Sequence, residues 1–185
     1  MSGTVAAPPS TVDPQWTAGE PGSDLRRVLR RHAGGVTVIT AGGTAGGPEP
    51  AGFCATSFAA VSLEPAVVSF SVGVRTSSWR AIATAEHVLA HLLHDGQEEL
   101  ARRFGRSGPA KFAPPTRWHP DELGLPRLHG VLAWLVLAPL YRLPVDEHVL
   151  VVCRVLGAQA ADEPGEPLIH QAGRYRSLAA PVMPA

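Results

Sequence analysis

Residues 73–79 read Gly-Val-Arg-Thr-Ser-Ser-Trp and lead into a predicted short helix, Trp79–Ala85. Backbone N–H groups at a helix start, hydroxyls and the adjacent Arg75 together suit a phosphate group. Thr and Ser are also preferred helix caps, so taken alone Thr76, Ser77 and Ser78 read first as capping residues. The segment is not a P-loop, because no Gly-Lys-Ser/Thr closes a glycine loop. The glycines between Gly42 and Gly47 open no helix either, so the strand–turn–helix dinucleotide fingerprint is missing.

The eight histidines are the other residues with chemical reach. His87, His91 and His94 would share a helical face and suggest a metal site. Their segment, EHVLAHLLHDG, has the apolar density of a strand, on which His91 and His94 point to opposite faces. No cysteine or carboxylate completes a ligand set, so no metal site is expected. His148 follows Asp146-Glu147 and opens the apolar run Val149–Val152, where it either meets a ligand or holds a turn. His170 precedes the polar cluster Gly173-Arg174-Tyr175-Arg176. There is no Gly-x-Ser-x-Gly elbow, and neither Cys54 nor Cys153 has an obvious histidine partner.

These residues sit in a chain of 185 residues, a length suited to one domain with a substantial core. Sixteen Lys+Arg balance sixteen Asp+Glu, which excludes the basic face needed to wrap nucleic acid. Nineteen glycines and eighteen prolines predict many turns and a β-rich body. Cys54 and Cys153 read as buried small hydrophobes of a reducing compartment. No N-terminal stretch resembles a signal peptide. The longest apolar run, Gly130–Leu143, carries Pro139 and Arg142 and is too short to span a bilayer. A soluble, cytoplasmic protein is expected.

The elements that must position the chemistry follow from periodicity and punctuation. Residues 1–23 are rich in Pro and Gly and read as a flexible N-terminal arm. Trp16 in this arm reads as an exposed or loosely docked aromatic, or as a contact with a partner subunit. A helix is predicted over Asp24–His32, with Leu25, Val28 and Leu29 on one face, ended by Gly34-Gly35. Strands are predicted over Val36–Thr40, Ala51–Phe58, Ala66–Val72, His87–Leu93, Leu128–Ala138, Val149–Ala158 and Leu168–Leu178. A turn-rich hairpin loop spans Ala41–Pro50, a helix Gln97–Phe104, and a Pro-rich loop Gly105–Pro126. The domain is therefore placed at 24–178, with a C-terminal tail at 179–185. Short, evenly spaced strands with few helices suggest a mainly β fold, a β-barrel with helical crossovers.

In this order the segments resemble the short-chain flavin reductase family, the reductase components of two-component flavin monooxygenases. The resemblance runs through Gly34-Gly-Val-Thr-Val-Ile-Thr40, Gly52-Phe-Cys-Ala-Thr-Ser-Phe-Ala-Ala-Val-Ser-Leu-Glu-Pro65 and Arg75–Trp79. It continues through Leu100-Ala-Arg-Arg-Phe104, Lys111-Phe112, Gly130 with the strand after it, Glu147-His148 and Gly173-Arg-Tyr-Arg176. It covers about residues 24–178.

The resemblance implies a split β-barrel that binds flavin at a homodimer interface. It implies that Ala55, Thr56 and Ser57 hold the isoalloxazine and ribityl edge, largely through backbone groups, with Ser62 near the ribityl–phosphate region. Arg75, Thr76, Ser77 and Ser78 fall at the family's phosphate loop, in agreement with the anion reading of the same residues. Phe104 and Tyr175 join the cofactor-binding set, and His148 matches the histidine of the nicotinamide site. The implied activity is hydride transfer from NADH or NADPH to FMN or FAD, with reduced flavin diffusing to a partner monooxygenase. Two departures stand out. Asp146-Glu147-His148 replaces a frequent Gly-Asp-His, and Ala59-Ala60 replace residues that often carry hydroxyls. A flavin carrier or sensor without turnover, or a flavin-dependent oxidase on a related barrel, are the alternatives. The first predicts flavin binding without nicotinamide oxidation, the second a retained flavin and a different substrate.

Overall fold

The computed structural model describes residues 21–43, 49–162 and 165–178. Residues 1–20 of the predicted arm with Trp16, residues 44–48 of the predicted hairpin loop, and the tail 179–185 lie outside the described residues.

Period-two alternation of apolar residues builds the main sheet. In β5 (Val67–Gly73), Val68, Phe70 and Val72 are buried while the residues between them are half-buried on the other face. The remaining strands of this sheet are β2 (Thr37–Ala41), β3 (Ala51–Ala55), β4 (Ala59–Ser62), β6 (Val88–Leu92), β9 (Ala133–Val145) and β10 (His148–Ala160). They run antiparallel in the order β3-β2-β6-β9-β10-β5-β4. Four strands separate β3 from β5 in that order, yet Phe53 and Phe70 meet with ring centroids 6.0 Å apart. The sheet therefore rolls around one core, which also takes in Ile39, Ile82, Leu137 and Val151. Its two edge strands follow one another in the chain but share no ladder.

A second core lies on the outer side of β2 and β6, where Val36, Val38, Leu93, Phe104, Leu128 and Leu168 pack together. It is covered by α3 (Glu98–Gly105), a 3₁₀ turn at Pro109–Phe112, the ribbon β7 (Trp118–Pro120)/β8 (Pro126–Leu128), and a small sheet. That sheet is formed by β1 (Gly34–Gly35), β11 (Ile169–Gln171) and β12 (Arg174–Arg176). Gly52 is the contact point between layers. A Cβ there would stand 2.7 Å from Phe104 Cε1 and 2.9 Å from the Ile39 carbonyl oxygen, so only glycine fits.

Several boundaries differ from the sequence expectation for identifiable reasons. The helix predicted over Asp24–His32 is α1, Pro21–Leu29, and its apolar residues Leu25, Val28 and Leu29 are exposed. The strand predicted over Ala51–Phe58 breaks into β3 and β4, because Thr56-Ser57-Phe58 turn from one edge of the rolled sheet to the other. The Pro-rich stretch 105–126 holds a 3₁₀ turn and the β7/β8 ribbon. The strand predicted to end at Ala138 continues to Val145 despite Pro139 and Pro144. Register shifts leave Leu140 and Leu156 as the extra residues of two bulges, and a bulge beside Pro139 accommodates its missing N–H. The strand predicted over Leu168–Leu178 is a hairpin, β11–β12, turning at Ala172-Gly173, both with positive φ. The short helix α2 (Trp79–Thr84) is held from below by Arg142, whose guanidinium donates to the Ala85 carbonyl at 2.6 Å and the Ile82 carbonyl at 3.2 Å.

Candidate functional site

Three segments converge at one end of the rolled sheet: the Thr56–Phe58 link, the Gly73–Ser78 loop, and the Asp146-Glu147 turn with His148. The ladder between β2 and β3 ends at Ala55, whose side chain is buried in the first core. Thr56 and Ser57 beyond it are exposed. Gly34 approaches closely, since a Cβ on it would lie 3.0 Å from the Thr56 carbonyl oxygen. The Ser57 hydroxyl takes over the absent ladder: it accepts from the Ser71 N–H at 2.9 Å and lies 3.5 Å from the Ser71 carbonyl. This ties the link to β5 where Ser71 stands opposite Leu150, two residues along β5 from the His148–Gly73 pair.

The β9–β10 hairpin closes with only Asp146 and Glu147 between the paired Val145 and His148. Asp146 has φ 51°, the left-handed region that glycine enters freely and Asp tolerates among the other residues. The replaced glycine of the family pattern is thus answered by an aspartate in a glycine-like conformation. Glu147 is laced to the neighbouring loop twice. Its carbonyl accepts from the Val74 N–H at 3.0 Å, and its carboxylate pairs with Arg75 at 2.8 Å. His148 is exposed, and the space above Gly73 is bounded by His148 Nε2 and Thr76 Cγ2.

Within the loop the hydroxyls divide. Thr76 donates to the Gly73 carbonyl at 2.9 Å, tightening the turn, and Ser77 is exposed. Ser78 is buried and donates to the Gly52 carbonyl at 2.5 Å. It starts α2 without a side-chain cap, so helix capping is not its role. Lys111 donates to the same Gly52 carbonyl at 2.8 Å and is only 7% exposed. Burial lowers the proton affinity of its ammonium. Together Ser78 and Lys111 satisfy the outward carbonyl of the edge strand β3 and clamp the loop against it.

The other predicted residues lie apart from this convergence. Ser62 stands beyond the bulge in β4, opposite Val67 at the far end of β5. Phe104 is a buried residue of the second core, its ring edge-on to Phe112 at 5.2 Å. Tyr175 is half-buried in that layer, hydrogen-bonded to Cys54 and edge-on to His170 at 5.4 Å. Burial and the Cys54 thiol push its phenol up to about 12. Both cysteines are free thiols whose burial raises their pKa, Cys153 to about 12, which disfavours the thiolate form.

Two other histidines hold structure. His91 is fully buried; its Nδ1 donates to the Val38 carbonyl at 3.1 Å and its Nε2 accepts from the Leu128 N–H at 3.1 Å. Burial lowers its pKa to about 4, which keeps it neutral. His94 accepts from the Gly96 N–H at 3.0 Å and caps the turn before α3. Sequence reasoning gave no role to Lys111, Ser71 or the Arg75–Glu147 pair. One signal pointed to the first: Lys111 is the single lysine among sixteen Lys+Arg, so an ammonium stands where every other cation is a guanidinium.

The arrangement offers an exposed Thr56-Ser57 link, an arginine-bearing loop, and an imidazole at a strand mouth. Such a surface can hold a planar ring edge and a phosphate together. Comparison with known proteins agrees with this chemistry. A family model described as a flavin reductase like domain matches residues 29–179. An NADH:FMN oxidoreductase from Rhodococcus qingshengii is 38% identical, over 93% of this chain and 90% of that protein. The HsaB reductase subunit of a flavin-dependent monooxygenase from Mycobacterium tuberculosis is 40% identical over 60% of this chain and 57% of its own. The solved structure of the Streptomyces globisporus NADH:FAD oxidoreductase SgcE6 with NAD and FAD fragments superposes with a TM-score of 0.77. The two are 29% identical, and the match covers 95% of this chain and 100% of that one. The chain belongs to the flavin reductase-like domain family.

Proposed function

We propose that the protein is an NADH-dependent flavin reductase that supplies reduced flavin to a partner monooxygenase. The observation that carries this reading is the convergence of the Thr56-Ser57 link, the Gly73–Ser78 loop and His148 on one end of the sheet. It is supported by the names of the relatives, which pair NADH with FMN or FAD and include monooxygenase reductase subunits.

Flavin and nicotinamide, when bound, supply the hydride chemistry themselves. The chain binds and orients. The amides of Ala55, Thr56 and Ser57 meet the ring and ribityl edge, and Ser62 extends that edge along β4. Arg75, Thr76 and Ser77 face the phosphate, while Ser78 and Lys111 hold the loop from behind. Phe104 and Tyr175 form the layer beneath the link through Gly52 and Cys54. His148 positions the nicotinamide and transfers no proton.

The barrel is completed as a homodimer in this reading. Tyr141, Leu143 and Val145 are exposed on the strand beside His148, in register with Val152, Leu150 and His148. A second copy covers this apolar face and walls the site against water. The domain spans 24–178, and the protein works in the cytoplasm; among the described residues no helix is long and apolar enough to cross a membrane.

Oxidation of NADH by the purified protein, with and without FMN or FAD, tests the activity; absence of flavin-dependent oxidation with NADH or NADPH refutes it. His148→Ala should raise the nicotinamide KM about tenfold, a loss of ~1.4 kcal/mol, and leave the flavin KM near its original value. The opposite order would remove His148 from the nicotinamide site.

A further inference from the structure

At the far end of β10 from His148, roughly 40 Å along the strand at 3.3 Å per residue, lies a cavity of about 460 Å³. It is bounded by His119, Arg127, His129, Trp134, Gln159 and Asp162. The β7/β8 ribbon sets its geometry. His119 stands opposite Arg127, and the His129 N–H continues the ladder by donating to the Arg117 carbonyl at 3.0 Å. The two imidazoles consequently face each other, with His119 Nδ1 and His129 Nε2 2.7 Å apart.

Arg127 is the unexplained group. Its guanidinium lies over the Trp134 ring, 3.9 Å from the centroid, which fixes its plane. Among the described residues it has no hydrogen-bond acceptor and no carboxylate within ion-pair distance. A half-buried, stacked guanidinium with a free donor edge is organised for a bidentate oxyanion. We propose that this cavity is an anion site for a phosphate-bearing small molecule, bound by the Arg127 fork and the His119–His129 pair.

Charge decides between an anion and a metal ion. Arg117 and Arg127 both act on His129, and with His119 they lower its proton affinity after the effect of burial. Among the described residues Asp162 is the only acidic side chain lining the cavity. A divalent cation would meet the Arg127 guanidinium there, with the charge of Arg117 also acting on His129, and among the described residues no third ligand joins the two histidines. An incoming dianion would instead draw a proton onto His129, whose proton affinity is lowered in its absence, so binding strengthens as pH falls.

Sulfate and inorganic phosphate, titrated calorimetrically into the full chain at pH 6 and pH 8, test the site. Sulfate carries the same charge at both values, so its pH dependence belongs to the protein. The expected result is one saturable site per chain, at least fivefold tighter for sulfate at pH 6. Arg127→Gln and His129→Gln should each weaken it tenfold or more, while flavin binding and NADH oxidation stay unchanged. Saturable binding that survives both substitutions would place the anion elsewhere and overturn the proposal. So would the absence of saturable binding, or zinc binding that His119→Gln abolishes.

Discussion

Two histidines on the main sheet show how differently one residue type is used. His91 on β6 is fully buried, its two ring nitrogens committed to the Val38 carbonyl and the Leu128 N–H. His148 at the mouth of β10 is exposed beside Gly73 and Thr76. The same contrast separates their surroundings. Around His91 and Gly52 the polar groups are buried and paired, so they hold layers together. Around His148 they are exposed and tied mainly to one another, so they shape a surface. A polar group buried with its partners has no capacity left for a ligand, whereas one at a strand end retains it.

The largest expected effect lies on the buried side. His91→Ala opens a cavity and strands two buried backbone groups, and should destabilise the fold by about 3 kcal/mol or more in chemical denaturation. His148→Ala should stay within about 0.5 kcal/mol, as for a surface substitution. Equal losses would erase the contrast.

Acid should act through the same residue. The pKa of His91 is about 4 in the folded protein against 6.5 for the ordinary imidazole. Its contribution is complete above the unfolded value, because both states are then neutral. Below it the unfolded chain binds the proton first, so stability falls as pH drops from about 6.5 toward 4, by on the order of 3 kcal/mol. His91→Asn should flatten that part of the pH–stability curve; an unchanged slope would assign it to other groups.

A smaller effect is expected where the two regions meet, at the Gly52 carbonyl. Ser78→Ala removes one of two donors and should cost ~1 kcal/mol in thermal unfolding. It should also loosen FMN binding if the clamp sets the loop. A stability loss without change in FMN affinity would confine Ser78 to the fold. Smallest of all is the exposed Arg75–Glu147 pair, whose side chains are 83% and 54% accessible. Glu147→Gln should change stability by less than about 0.5 kcal/mol. It frees Arg75, so a salt-sensitive gain in FMN affinity is expected; no gain would detach Arg75 from the phosphate.

Much of this was legible in residue order. The strand opening at His148, the helix beginning at Trp79 and the alternation of β5 all follow from local pattern and appear where expected. The break at Thr56–Phe58 was not legible, since Ala51–Phe58 is continuous in composition and only the rolling of the sheet, whose edges β3 and β4 share no ladder, forces the turn. Nor was the run of β9 through Pro139, which depends on a bulge set by its partner strand. Ser62, Phe104 and Tyr175 share the family pattern with Ser57 and Thr76, yet pattern alone does not tell a surface position from a core one.

Local order by itself determined the β-rich class, the hydroxyl- and arginine-bearing loop, and the family, because these depend on residue type and spacing along the chain. Tertiary structure decided which polar groups remain free. Ser57 bonds β5 fourteen residues away, Ser78 reaches β3 across twenty-six, and Lys111 reaches it across fifty-nine. Rolling a sheet brings its two edges together and sets such distant donors against the same carbonyls. The proton spent there is unavailable to a ligand, a consequence of geometry that no local pattern records.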